Sequence, residues 1–193
     1  MRRTRVTVGL VPVAVAAALL VALAGCGGSG GGRASRPFAW LKPASPPAGW
    51  NVARTPGGAR LAYPPGWTSL KTDPGTASVA LLGHGERIDG YLNATPKQGT
   101  ETLANWSRFR PRHNQGEGDR GVRLVAATTD GRFRSGRGAC VIDTYTTSKA
   151  SYREITCLVS GPTSSAVVVA AAPTALWDQQ AATLQRAVAS FAA

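Results

Sequence analysis

The chain has 193 residues, is 43% hydrophobic and 17% charged, and carries a formal net charge of +12. That length holds one domain with a real core, and the basic balance turns the search for partners toward anionic surfaces. Three cysteines and two histidines, with no CxxC pair and no histidine near a cysteine, argue against a metal site at the cysteines.

The chain opens on MRRTR, and the run from Val6 to Ala24 contains no charge. A basic head, an apolar body and small residues at its end are the layout of a secretory signal. About 20 apolar residues also suffice to span a bilayer, so the run alone leaves an uncleaved anchor open. Its end decides between them. Leu23-Ala24-Gly25-Cys26 resembles the lipobox of bacterial lipoproteins: an apolar residue, two small residues, then cysteine. The resemblance implies a signal peptide over residues 1–25, a diacylglycerol on the Cys26 thiol, and an N-terminus that is itself often acylated. Two or three acyl chains give stable anchoring where one is marginal. The expected location is the outer face of the cytoplasmic membrane.

Residues 26–49 read as a tether: GGSGGG cannot bury a core, and RASRPFAWLKPASPPAG is proline-rich without helical or alternating period. The expected domain covers residues 50–193. Strand-like runs follow at Ala59–Tyr63, Ser78–Leu82, Arg87–Thr95 and Gly121–Thr128, then at Arg132–Thr147, Ser151–Ser160 and Ser165–Ala172. Thr129-Asp130-Gly131 is predicted as a turn. Two stretches have helical spacing instead. Leu103, Trp106 and Phe109 share one face of a helix that Pro111 should stop. Trp177, Ala181, Leu184, Val188 and Phe191 share a face of the second, with Thr174 as its cap and Asp178 at its positive end. The predicted class is α+β: a largely antiparallel sheet flanked by helices.

Cys140 and Cys157 lie in two runs rich in Val, Ile, Thr and Tyr. A hairpin turning at Ser148-Lys149 sets them directly opposite one another, and an exported chain is oxidised. A disulfide is the reading. The same register opposes Asp143 and Glu154, a like-charge pair that destabilises a sheet unless arginines neutralise it or a bulge shifts the hairpin. Facing carboxylates could serve acid/base chemistry or hold a cation; a solvated strand face balanced by arginine is the expectation.

The order of a strand ending in Tyr63-Pro64-Pro65-Gly66-Trp67, a hairpin, a helix, antiparallel strands and a last helix with Trp177 and Ser190-Phe191 resembles the PsbP-like fold. More closely, it resembles the LpqN/LpqT-like lipoproteins of actinobacteria. The resemblance runs from Trp50 to the C-terminus. It implies α/β/α layers in a cell-envelope protein, usually without demonstrated catalysis; no site residues carry over.

Other motifs fail in context. Gly27–Gly31 matches G-x-S-x-G but lies in the tether, not at a strand-to-helix turn. Gly116–Gly121 matches G-x-G-x-x-G but follows a helix and opens a strand, the reverse of a phosphate loop. His84 and His113 stand in polar loops. One compositional feature remains: eight arginines against three acids between Arg108 and Arg137. From these, Arg108, Arg110, Arg112, Arg132, Arg134 and Arg137 form the candidate surface for anionic lipid heads or wall polymers. The leading expectation is a non-enzymatic, lipid-anchored envelope protein that binds a protein, an anionic lipid or a wall component. No cofactor, metal or nucleic acid is expected. The alternatives are a carrier holding an apolar ligand between sheet and helix, and an envelope hydrolase.

Overall fold

The computed structural model describes residues 36–193. The signal peptide, Cys26 and the first part of the tether lie outside these described residues. The elements in chain order are β1 (Asn51–Arg54), β2 (Arg60–Tyr63), β3 (Thr68–Leu70), β4 (Ala77–Leu82), β5 (Ile88–Pro96) and α1 (Trp106–Gly116). There follow β6 (Arg120–Phe133), β7 (Gly136–Thr146), β8 (Ser151–Ser160), β9 (Ser165–Pro173) and α2 (Trp177–Ala189). Seven strands form one sheet in the order β3-β4-β5-β9-β8-β7-β6, every neighbouring pair antiparallel. β1 and β2 form a separate hairpin. This is the α+β arrangement expected from the sequence.

Alternation along the strands distributes side chains to two faces. Cys140, Ile142, Ile155, Val168 and Ala170 meet Trp177, Leu184, Val188 and Phe191, so α2 covers one face. Ala139, Val141, Leu158, Val167 and Val169 meet Trp106, so α1 lies on the other. β9 is buried on both faces and reads as a continuous apolar run, AVVVAAA, for that reason.

The hairpin of β7 and β8 has the register expected of a turn at Ser148-Lys149, and Cys140 and Cys157 form a disulfide with Cα atoms 4.1 Å apart. Four local expectations fail. Pro111 lies inside α1 and does not stop it, because the helix begins at Trp106 and its inward side chains hold both halves on the sheet. Thr174 does not cap α2: it opens a short 3-10 turn, Thr174–Leu176, ahead of the helix. Thr129-Asp130-Gly131 is not the turn; β6 runs through it with a register shift, and the chain reverses at Arg134-Ser135. Gly131 is there for close approach, since a Cβ would come within 2.9 Å of the Gly138 carbonyl.

The fourth difference concerns residues 36–49, expected as free linker. Phe38, Trp40 and Leu41 pack against the core cluster under α2. The Ala44 N–H donates to the Ala189 carbonyl at 3.1 Å, tying this segment to the end of α2. Three apolar side chains reached through a turn have no periodicity to read.

The disulfide closes a loop with a sequence separation of 17, for which chain entropy gives roughly 3 kcal/mol. Urea unfolding with and without reductant should show a loss of about that size. Peptide mapping without reductant should recover the Cys140–Cys157 pair.

Candidate functional site

Helix α1 is anchored by Trp106, which is 2% exposed and whose Nε1–H donates to the Thr156 carbonyl at 3.0 Å. Phe109 stacks on Trp106 and His113 on Phe109, with ring centroids 5.9 and 6.1 Å apart. On this framework Arg110 and Asn114, one turn apart, both aim at the sheet. Arg110 grips Glu154 with two parallel bonds, Nε to Oε1 at 2.7 Å and Nη2 to Oε2 at 3.0 Å. Glu154 also accepts from the Thr156 hydroxyl at 2.7 Å and the Asn114 amide at 3.3 Å. The same amide donates to Asp143 Oδ2 at 3.4 Å.

Asp143 and Glu154 face each other across β7 and β8, as the register required, and both are fully buried. The solvated strand face expected for them is therefore wrong: α1 lies over the pair. Burial pushes Glu154 up, but the Arg110 guanidinium and the hydroxyl and amide donors outweigh it and hold the carboxyl below its usual range. Asp143 has no such guanidinium grip. Burial, then the facing Glu154 charge, pushes it up to about 8. Burial and the Glu154 charge raise the neighbouring Tyr145 phenol as well. Near neutral pH the pair thus carries one charge, matched by Arg110, and one proton on Asp143. This cluster can store a proton and clamp a helix to a sheet, but it is closed to a substrate. Sequence reasoning missed Asn114 and Thr156; the i,i+4 spacing of Arg110 and Asn114 was the available signal.

The six candidate arginines separate into four groups. Arg110 is withdrawn into the buried cluster, with its side chain 14% exposed, and does not stand on a surface with the rest. Arg108 and Arg112 project from the outer side of α1 into a shallow depression of about 510 Å³, shared with Thr100, Asn105, Phe109 and His113. Arg132 and Arg137 are cross-strand partners in the alternation that places Ala139 and Val141 on the α1 face. Arg134 lies in the turn and donates to the Ser45 hydroxyl, on the α2 side of the sheet. Arg54 and Arg60, not singled out from sequence, stand beside it. Among the described residues, ion pairs join only Arg87 to Asp89 and Arg110 to Glu154. His84 and His113 are exposed. No group of three or more His, Cys, Asp or Glu among the described residues could hold a metal ion.

The charge state of the carboxyl pair yields a test. The native state keeps the Asp143 proton from about pH 4 to about pH 8, whereas an unfolded Asp releases it near 3.9. Native Asp143 therefore adds stability that is complete below pH 4 and lost as pH rises through 8. Asp143→Asn removes the titrating carboxyl and should flatten that fall in thermal melting. Arg110→Ala leaves a buried charge without its partner and should cost about 3–5 kcal/mol at neutral pH by urea unfolding.

No protein-family model matches the chain, and no curated protein matches it. Among solved structures it is similar to the PsbP protein (CyanoP) of Synechocystis sp. PCC 6803, with a TM-score of 0.56 and 14% identity, over 75% of this chain and 92% of that one. It is also similar to a Pseudomonas aeruginosa protein of unknown function, at 0.48 and 12%, over 73% of this chain and 94% of the other. A third is LpqN of Mycobacterium tuberculosis, described as involved in cell envelope biogenesis, at 0.41 and 12%, over 74% and 89%. The described domain has the PsbP-like fold.

Proposed function

We propose that this chain is a lipid-anchored, non-enzymatic protein of the cell envelope, held through Cys26 on the outer face of the cytoplasmic membrane. Its PsbP-like domain meets an anionic surface, lipid heads or wall polymer, through the α1 side. The observation that carries the contact is the set Arg108, Arg112, Arg132 and Arg137: four exposed guanidiniums with no carboxylate partner among the described residues. Unpaired cations of this kind create a field that attracts polyanions and weakens with salt. The anchor rests on the lipobox at residues 23–26. No helix among the described residues is long and apolar enough to cross a membrane.

The carrier reading is weakened, because Trp106 and Trp177 are buried between sheet and helices at 2% and 7% exposure. The space left beside Trp106 between α1 and the sheet is about 240 Å³, below the roughly 300–1,000 Å³ of pockets that take drug-sized ligands. The hydrolase reading gains no support from the acid pair, which is sealed beneath α1.

Two measurements test the proposal. Cys26→Ser should abolish metabolic labelling with a fatty acid and leave an uncleaved precursor; labelling that persists defeats the anchor. Residues 36–193 should co-sediment with phosphatidylglycerol vesicles and release as salt rises. Replacing Arg108, Arg112, Arg132 and Arg137 with Gln should weaken that binding at least tenfold while leaving the circular dichroism unchanged. Substitutions at such exposed positions cost about 0.5 kcal/mol or less each.

A further inference from the structure

On the opposite side of the sheet, four separate segments enclose a cavity of about 190 Å³. The outer face of the β1–β2 hairpin supplies Val52, Arg54, Arg60 and Ala62. The N-terminal segment supplies Pro46, the β6–β7 turn Arg134, and the chain after α2 Ser190 and Ala192. The hairpin is fixed at this place by the Arg60–Ala192 bridge, whose two backbone bonds are 2.7 and 3.2 Å long.

The charge arrangement is unusual. Arg54 and Arg60 are directly opposite cross-strand partners, a like-charge pairing that works against the hairpin. The Arg134 guanidinium, oriented by its bond to the Ser45 hydroxyl, adds a third positive charge. No carboxylate among the described residues pairs with any of the three. The rest of the lining is chiefly apolar, and Val52 is 41% exposed at the cavity. Guanidiniums on three residues that line one cavity suit the planar, multidentate recognition of phosphate oxygens. The apolar wall suits a carbon substituent on that phosphate. The volume is below the roughly 300–1,000 Å³ of pockets that take drug-sized ligands, so the occupant is small or enters only by its head.

We propose that Arg54, Arg60 and Arg134 form a binding site for a phosphate monoester, with Val52, Ala62 and Pro46 packing against its ester carbons. The phosphate either belongs to a soluble ester or caps a lipid. The site is independent of the Cys26 anchor and of the arginines on the α1 side, so either reading can fail without the other.

Two probes separate the sources: glycerol 3-phosphate, and phosphatidylcholine vesicles with and without phosphatidate. The full chain in detergent serves for the first and the full chain in vesicles for the second, each compared with chloride at matched ionic strength. Glycerol 3-phosphate should raise the melting temperature in a saturable way, because a ligand of the native state stabilises it. Arg54→Gln/Arg60→Gln/Arg134→Gln should raise the half-saturating concentration at least tenfold, and Arg108→Gln/Arg112→Gln should leave it unchanged. Arg60→Gln alone should melt no lower than wild type without ligand, since it relieves the facing charges, and should still lose affinity. The vesicle arm uses the Arg108→Gln/Arg112→Gln/Arg132→Gln/Arg137→Gln background, so that the α1 side does not contribute. There, a shift with phosphatidate vesicles but none with the soluble ester assigns the site to a lipid head, and the reverse assigns it to a soluble ester. A shift no larger than chloride gives with both probes, or one that survives the triple substitution, overturns the proposal.

Discussion

A single guanidinium decides whether this domain can close. Two carboxylates opposite one another in adjacent strands, both stripped of water, would repel and force a local opening. Arg110 reaches in from α1 with a two-pronged grip on Glu154, and Asp143 keeps its proton. The conflict in the strand register becomes the reason that α1 sits where it does. The helix brings one cation, one amide and one indole N–H to three polar groups of the sheet, and its register on β7 and β8 follows from satisfying them together. Trp106 and Asn114, near the two ends of the same helix, fix its position and its rotation.

The two faces of the sheet are held by different physics. Under α2 the contact is almost wholly apolar, from Trp177 through Leu184 and Val188 to Phe191, and the disulfide lies in the same layer. Under α1 an apolar patch around Trp106 gives way along the helix to the buried polar cluster. Hydrophobic contact tolerates small sliding, whereas bidentate bonds do not, so the α1 face has the stricter geometry. β6, at the sheet edge, has three register shifts and exposed arginines at 120, 123 and 132. Bulges and charge are common means of keeping an edge strand from pairing with another chain.

Much of this was legible from residues. The β7–β8 register followed from one turn and two cysteines, and the opposition of Asp143 and Glu154 came with it. Both helices announced themselves through aromatic spacing. The environment of the acid pair was hidden, because strand alternation tells which residues share a face and not what covers it. Arg110 looked like one of many arginines; only the rotation of α1 set by Trp106 distinguishes it from Arg108 and Arg112. Phe38, Trp40 and Leu41 were unreadable as core because a turn, not a repeat, aligns them. Gly131 misled for a different reason: glycine serves both reversal and close approach, and sequence does not separate the two.

The position of β9 has a consequence for how the domain comes to exist. It is the last strand in the sequence among the described residues, yet it lies between β5 and β8 and joins two halves of the sheet that have no strand pairing with one another. A chain emerging from its N-terminus can form the β3–β4–β5 meander and, later, the β6–β7–β8 meander, but each keeps an open edge until residues 165–173 arrive. Non-local closure of this kind is slow, and open edges invite pairing with other chains. The domain is therefore vulnerable for most of its emergence and secured almost at the end, when one apolar strand fills the gap and α2 folds down behind it.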